Sequence, residues 1–346
     1  MNENRLYQLC GLCGTSGREH AVRSAILKEL AKLQLPEGAV RTDRLGNILV
    51  HKKGVAAPQR KVLFTAHMDE VALMVTYINP DGSLGFDAVG GISAAAVIGR
   101  QVTVGPGQIN GVIGCKPVHL LSKDARKKPA EMSSLFCDIG TDSAEETMQH
   151  IRPGDIIYFC GEPHDLGDGS LASKAIDDRF GCEILLELLE KELPYDTDFA
   201  FLVQEEVGLR GAGVAAQSIQ PEIAVIFEAT TAADLPGSEG ADRVCELGKG
   251  AVISFIDGRT IYDKALYDLA ARICDANGIP WQTKTKIAGG NDAGAIQNAG
   301  SGVRVLAVSV PCRYLHAPLS VIRKPDAEAC SRLAEALLSA LQEAEL

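Results

Sequence analysis

The sequence predicts an α/β fold: a mixed sheet covered by helices on both faces, interrupted by a β-rich insertion. Three observations carry this. Short apolar runs such as "KVLFTAH", "FAFLVQ", "IAVIFE" and "VRVLAVSV" read as strands buried on both faces. Amphipathic stretches with apolar residues three and four apart alternate with these strands, as in a sheet sandwiched by helices. Between about residues 72 and 162 the texture changes to glycine-rich β pieces such as "RQVTVGPGQINGVIGCKPVHLL" and "PGDIIYFC". The expected α/β domain therefore comprises residues 1–71 and 163–346, and the insertion residues 72–162.

Each element has its own warrant. A helix is expected over about Glu19 to Leu33, with Val22, Ile26, Leu30 and Leu33 on one face. "VRTDRLGNILVHKKG" alternates around Gly46-Asn47 as a hairpin does. The next strand ends at His67. One helix, near Ser143 to His150, falls inside the insertion. "DDRFGCEILLELLEKEL" gathers Phe180, Ile184, Leu185, Leu188 and Leu189 on one side of a helix. "IYDKALYDLAARICDANG" is a helix closed by Gly278, and "DAEACSRLAEALLSALQEAEL" is another. No internal repeat or low-complexity linker is visible.

Bulk properties narrow the function. The chain of 346 residues carries a net charge of -11, which argues against nucleic acid as a partner, since phosphates need a basic face. "MNENRLYQLCGLCGTSGREH" lacks an apolar signal core and no run is long enough to span a bilayer, so a cytoplasmic location is expected. Ten cysteines are scattered through the chain, and only Cys10 and Cys13 have Cys-x-x-Cys spacing. No second pair completes a zinc site, and most cysteines are expected to be small buried apolar residues.

The polar residues at the strand ends carry the chemistry. His67 ends one strand, Glu205 and Glu206 a second, and Glu228 a third. Asp177 and Asp178 open a helix, and His316 follows the last strand. In an open α/β sheet, ligands bind beyond the carboxyl ends of the strands, so these residues are expected at one edge. Taken singly, each has a plain alternative. A histidine can be a satisfied core residue, an Asp-Asp pair can cap a helix, and Glu228 can pair with an arginine. Together, two histidines and several carboxylates suit one or two divalent ions such as Zn²⁺, Co²⁺ or Mn²⁺. The set exceeds what one catalytic ion needs and fits two ions sharing a bridging carboxylate. Glu205 and Glu206 would point to opposite faces of a regular strand, but a turn of the backbone brings both to one site. One can then bind metal while the other serves as a base.

The segments "TAHMDEV", "KAIDDRFG", "QEEVGLRGA", "EATTAADLPG", "GGNDAG" and "RYLHAP" resemble those of the tetrahedral aminopeptidase family, also called glutamyl or deblocking aminopeptidases. The similarity extends to "GTSGRE", "DRLGNILV", "GVIGCKPVHLL" and "LFCDIGTDS", so it covers nearly the whole chain. The resemblance implies a zinc-peptidase-like catalytic domain and a cytoplasmic aminopeptidase acting on short peptides with two metal ions per subunit. His67 and Glu228 would bind one ion, Glu206 and His316 the other, and Asp177 both. Glu205 would be the general base, and Asp69 would hydrogen-bond the His67 imidazole. The Asp177–Asp178 peptide bond would be cis. The insertion would mediate dimerisation, with dimers assembling into a dodecamer. Many members carry aspartate where Glu228 stands and threonine where Asn291 stands. Asp234 is a rival ligand by composition, and Asn291 and Asp292 are expected to shape the pocket. Loops near 248–250 and 287–293 are candidates for its wall. The alternatives are a dinuclear hydrolase of another amide and a non-catalytic metal-binding scaffold. A glucanase role has little support, because the aromatic content of 5% leaves few sugar-stacking platforms.

Overall fold

The computed structural model describes residues 1–345. An eight-stranded sheet forms its centre: β1 (Val40–Thr42), β2 (Ile48–Lys52), β3 (Val62–His67), β4 (Thr197–Leu202), β5 (Ile223–Thr231), β6 (Ala251–Ile253), β7 (Trp281–Thr283) and β8 (Arg304–Cys312). Their spatial order is β1-β2-β4-β3-β5-β8-β6-β7. The middle four, β4, β3, β5 and β8, are mutually parallel, and antiparallel neighbours flank them. The sheet is therefore mixed, and its parallel heart sends four carboxyl ends to one edge.

Side chains alternate between two apolar layers, as the period of a strand requires. Phe64, Phe199, Phe201, Val225, Phe227, Leu306 and Val308 face one core. Helices α1 (Glu3–Gly11), α2 (His20–Lys32), α3 (Ile176–Glu190), α5 (Lys264–Asn277) and α6 (Lys324–Glu343) pack there. Phe64 stacks between Phe199 and Phe227 at 5.8 and 5.9 Å, which locks the three central strands together. Leu63, Ala200, Leu202, Ala224, Ile226, Val305 and Ala307 face the opposite core, under helix α4 (Arg210–Ile219) and the short helix Ala293–Ile296. Gly278 closes α5 in the left-handed conformation, as its sequence position implies.

The segment after β3 folds as a closed six-stranded barrel with strands Ala72–Ile78, Leu84–Val89, Gln101–Val104, Ile109–Cys115, Leu135–Asp138 and Ile156–Phe159. It has its own core of Leu73, Val75, Val102, Val104, Ile113 and Ile157. The expected helix in this segment is a single turn, Ala144–Thr147, capped by the Ser143 side chain. A three-stranded sheet of His164–Asp165, Ser170–Ser173 and Ser320–Arg323 joins the chain's return to its C-terminal part. Among the described residues, no helix is long and apolar enough to cross a membrane.

Two expectations need correcting. β5 does not end at Glu228 but runs on to Thr231, because β8 continues beside it as far as Cys312. Asp177 and Asp178 are not helical: their ψ values of 111° and 46° interrupt the chain before the helical body starts at Arg179. The bond between them is cis, as expected.

Candidate metal centre

The strand register brings the site together. Leu202 of β4 pairs with His67, and Ile226 pairs with Thr65, so Glu228 falls level with His67 two residues on. Beyond β4 the chain turns sharply, with Gln204 at φ 57°, and delivers both Glu205 and Glu206 to the edge. His316 lies past β8, itself in the left-handed region at φ 58°. Asp177 comes from the non-helical break at the start of α3.

Asp177 stands between the two histidines. Its Oδ1 is 3.4 Å from Nε2 of His67, and its Oδ2 is 3.3 Å from Nε2 of His316. His67 Nε2 is also 3.6 Å from Glu228 Oε2, and His316 Nε2 is 3.4 Å from Glu206 Oε2. Ligands about 2.0–2.2 Å from one ion in tetrahedral geometry stand about 3.3–3.6 Å apart. The histidine-to-carboxylate distances of both triplets have this spacing, and each histidine faces a different oxygen of Asp177. The other nitrogen of each ring faces a carbonyl, which can only accept. Nδ1–H of His67 donates to Asp69 O at 3.1 Å, and Nδ1–H of His316 to Gly91 O at 3.0 Å. Both Nε2 lone pairs are thereby left for a metal.

The charges also suit cations. Asp177 Oδ1 and Glu228 Oε1 are buried without a hydrogen-bond partner among the described residues. Burial, with Asp177 adding repulsion, pushes the Glu206 carboxyl up to about 8 despite the opposing pull of His316. Burial likewise pushes Glu228 up to about 7. Burial opposes protonation of His67, but Glu228, Asp177 and Asp69 outweigh it and hold the imidazole well above its ordinary range. For His316 the same contest, with Asp177 and Glu206 prevailing, raises it to about 9. Surroundings that hold protons this firmly hold divalent ions by the same attraction.

Asp69 has a wider part than the one expected of it. Its carboxylate is 3.5 Å from Nδ1 of His67, while its backbone carbonyl is the closer acceptor. The carboxylate accepts from Ser16 Oγ at 2.6 Å, from the N–H of Glu205 at 3.0 Å and from the N–H of Glu206 at 3.2 Å. It thus fixes the turn that presents both glutamates. Asp178, also buried, accepts from the N–H of His67 at 3.1 Å and of Gly181 at 2.9 Å, tying β3 to α3. A Cβ on Gly181 would stand 2.4 Å from Asp178 Oδ2, so only glycine fits.

Glu205 lines a cavity of about 360 Å³ with Asp177, Glu228, His316 and Asn291. Burial, followed by the charges of Glu228, Asp292 and Glu206 against that of His67, raises its proton affinity well above the carboxylate norm. Asn291 shapes this wall: its Oδ1 accepts from the N–H of Ala293 and lies 3.2 Å from Tyr262 Oη, whose proton goes to Asp257 Oδ2 at 2.6 Å. Asp292 is buried beneath it. The loop 288–291 reaches the cavity as expected. Residues 248–250 do not, because Gly248 and Gly250 donate to Asp326. Asp234 is no ligand: it forms a two-pronged ion pair with Arg313 at 2.7 and 2.8 Å. Cys10 is buried and Cys13 half-buried, and burial raises both thiols, Cys10 to about 11. Neither joins a metal-binding cluster among the described residues.

Sequence reasoning missed Gly90 and Gly91, which bring the barrel segment against the site. A Cβ on Gly90 would lie 3.3 Å from Cβ of Glu206, and one on Gly91 3.4 Å from Nδ1 of His316. The adjacent glycines in "AVGGIS" were the available sign. Lys284, which also lines the cavity, was missed too.

Comparison with known proteins follows the same lines. The sequence model of the family described as M42 glutamyl aminopeptidase matches residues 46–333. The chain is 33% identical over 337 residues to the lysyl aminopeptidase of Pyrococcus furiosus, covering 95% of this chain and 94% of that protein. It is 31% identical over 350 residues to the glutamyl aminopeptidase of Lactococcus lactis subsp. cremoris, covering 98% and 96%. Among solved structures it is similar to the TET1 peptidase of Pyrococcus horikoshii, with a TM-score of 0.84 and 34% identity, covering 97% of this chain and 98% of that one.

Proposed function

We propose, on the premise that the chain belongs to the M42 glutamyl aminopeptidase family, that it is a dinuclear-metal aminopeptidase removing N-terminal residues from short peptides. Membership of that family makes the chain a peptide-bond hydrolase. The observation that carries the finer reading is the position of Asp177, with one oxygen turned to His67 and the other to His316. His67 and Glu228 would hold one divalent ion and His316 and Glu206 the other, each Zn²⁺, Co²⁺ or Mn²⁺, with Asp177 common to both. Bound there, the ions would supply Lewis-acid polarisation of the scissile carbonyl and a water of lowered pKa.

The remaining chemistry belongs to the chain. Glu205 belongs to neither triplet and opens onto the same cavity. It takes a proton from the attacking water and returns it to the departing amine. Asp69 keeps Glu205 and Glu206 in their separate roles by holding both backbone N–H groups. The concentration of carboxylates favours a substrate with a free α-ammonium, which confines cleavage to chain ends. We assign residues 72–162 to an inserted domain that mediates dimerisation. The Pyrococcus horikoshii relative is described as assembling into a tetrahedron or a large octahedral shell. By analogy this chain would form dimers that build a dodecamer, in the cytoplasm.

Glu205→Gln tests the division of labour. The amide keeps the side chain's shape but cannot accept the proton. Turnover should fall by about 10²–10⁴-fold while two ions still bind per chain. Wild-type turnover would overturn the base assignment, and loss of an ion would make Glu205 a ligand instead.

A further inference from the structure

We propose that Glu19 is a positioning residue for the metal centre: by gripping Gln204 it fixes the place of Glu206, and with it the affinity of the ion that Glu206 and His316 would hold. This rests on the dinuclear reading and adds to it a role for "GTSGRE" and "DRLGNILV", two segments of the resemblance that supply neither a ligand nor the base.

The N–H groups of the turn after β4 are held by side chains, not by a neighbouring strand. Four consecutive ones, from Val203 to Glu206, donate to side chains from three distant segments. Val203 N–H donates to Asn47 Oδ1 at 2.9 Å, and Gln204 N–H to Glu19 Oε1 at 3.2 Å. The N–H groups of Glu205 and Glu206 take the two oxygens of Asp69. Gln204 is the pivot. Its φ of 57° lies in the left-handed region, which a residue with a Cβ keeps only where its surroundings impose it. The grip on that pivot is the one Glu19 supplies.

Glu19 is itself well fixed. It is 2% exposed, and the same Oε1 accepts from the N–H of Gly17 at 2.7 Å. It stands at the start of α2, where its carbonyl accepts from Arg23 N–H at 2.9 Å. Three residues earlier, Ser16 Oγ–H donates to Asp69 Oδ2 at 2.6 Å, and Gly14 N–H donates to Glu70 Oε1 at 3.0 Å. Segment 14–19 therefore runs along Asp69-Glu70 and braces the turn through Glu19 and Ser16. The brace bears on one ion more than on the other. Glu206, two residues past the pivot, belongs to the His316 triplet. His67 and Glu228 sit on β3 and β5, which the sheet holds side by side without the turn.

The test titrates chelator-stripped protein with Co²⁺ by calorimetry. The wild type should bind two ions. Glu19→Ala deprives the N–H groups of Gly17 and Gln204 of their acceptor, so one ion should bind about 10- to 100-fold more weakly while the other is unchanged. Glu19→Gln keeps an acceptor oxygen and should restore the wild-type affinity. In a His316→Ala background, where the full-strength ion is that of His67 and Glu228, adding Glu19→Ala should change nothing. Ser16→Ala removes a hydroxyl and little volume, and should weaken the same ion by about fivefold, the worth of one hydrogen bond. It carries the test should Glu19→Ala fail to fold. Equal weakening of both ions overturns the inference and marks Glu19 as a structural residue. So does wild-type affinity in Glu19→Ala and Ser16→Ala, or a Glu19→Gln protein as weak as Glu19→Ala. A wild type that binds a single ion overturns the dinuclear reading and the inference with it. Two ions bound without peptide cleavage would count against the aminopeptidase reading alone.

Discussion

Asp69→Asn isolates the carboxylate that organises the site without itself belonging to either metal triplet. The substitution keeps the volume but replaces one oxygen with an NH₂ group. In the wild type Oδ1 accepts from Glu205 N–H, while Oδ2 accepts from Ser16 Oγ–H and Glu206 N–H. The Ser16 hydroxyl can rotate to accept from the new NH₂, but a backbone N–H cannot. Whichever way the amide turns, one of the two glutamate N–H groups meets a donor. The residue is 0% exposed, so no water relieves the conflict. An unsatisfied buried donor costs about 1–3 kcal/mol, and weakening the other, formerly charge-assisted, bonds adds to that, so stability should fall by about 2–4 kcal/mol. The larger consequence is positional. Glu206 loses its anchor beside His316, and Glu205 loses its anchor above the cavity. Disturbing groups that orient metal ligands costs about 10- to 100-fold in metal affinity or activity. Urea denaturation of the metal-free protein, with calorimetric metal titration and kcat/KM, measures all three quantities. A variant matching the wild type in stability, affinity and rate would refute the role assigned to Asp69.

Two further outcomes follow from the same geometry. Asp177→Ala removes the oxygens shared by the two triplets, so it should weaken both ions together, and a metal titration should never show one full-affinity site surviving. The metal-free protein should lose stability as pH rises from about 4.5 to about 9. Glu206, Glu228 and His316 all have folded-state proton affinities raised above their ordinary values, to about 8, 7 and 9. Their contribution is fully present while they are protonated and is lost as pH passes through those values. Asp177 is shifted the opposite way, but its window lies below the range of the scan. Bound metal should reverse the trend, because the ligands then serve deprotonated. A thermal scan series with and without Co²⁺ checks this, and a metal-free protein stabilised by rising pH would contradict it.

The sequence made the ligand candidates visible because strand ends in a parallel sheet announce themselves: an apolar run stops and a His or Glu stands at its end. His67, Glu205 with Glu206, and His316 were legible this way. Glu228 was found for the right chemistry but the wrong local reason, since β5 continues three residues beyond it. Only pairing with β8 prolongs the strand, and that register is a tertiary fact. The β texture of the 72–162 segment was readable, but its closure was not, because closing requires Ala72–Ile78 to meet Ile156–Phe159 across the segment's full length. The same limit hid Asp69's grip on a turn 136 residues away and the approach of Gly91 to His316 across 225 residues. Lys284 gave no local sign at all. It is enclosed in the cavity wall beside residues of β5 and β8, whereas a lysine after a short strand is ordinarily solvated.

The most direct measurement of the central claim is a metal add-back assay. Chelator-stripped protein is given Co²⁺, Zn²⁺ or Mn²⁺ and tested on unblocked aminoacyl substrates beside their N-acetylated counterparts. The dinuclear aminopeptidase account predicts no cleavage without metal, restoration as the second ion per chain binds, and activity on free amines only. Cleavage of the acetylated series would point to another amide substrate, and binding of two ions with no cleavage of either series would leave the chain a metal-binding scaffold and contradict the account.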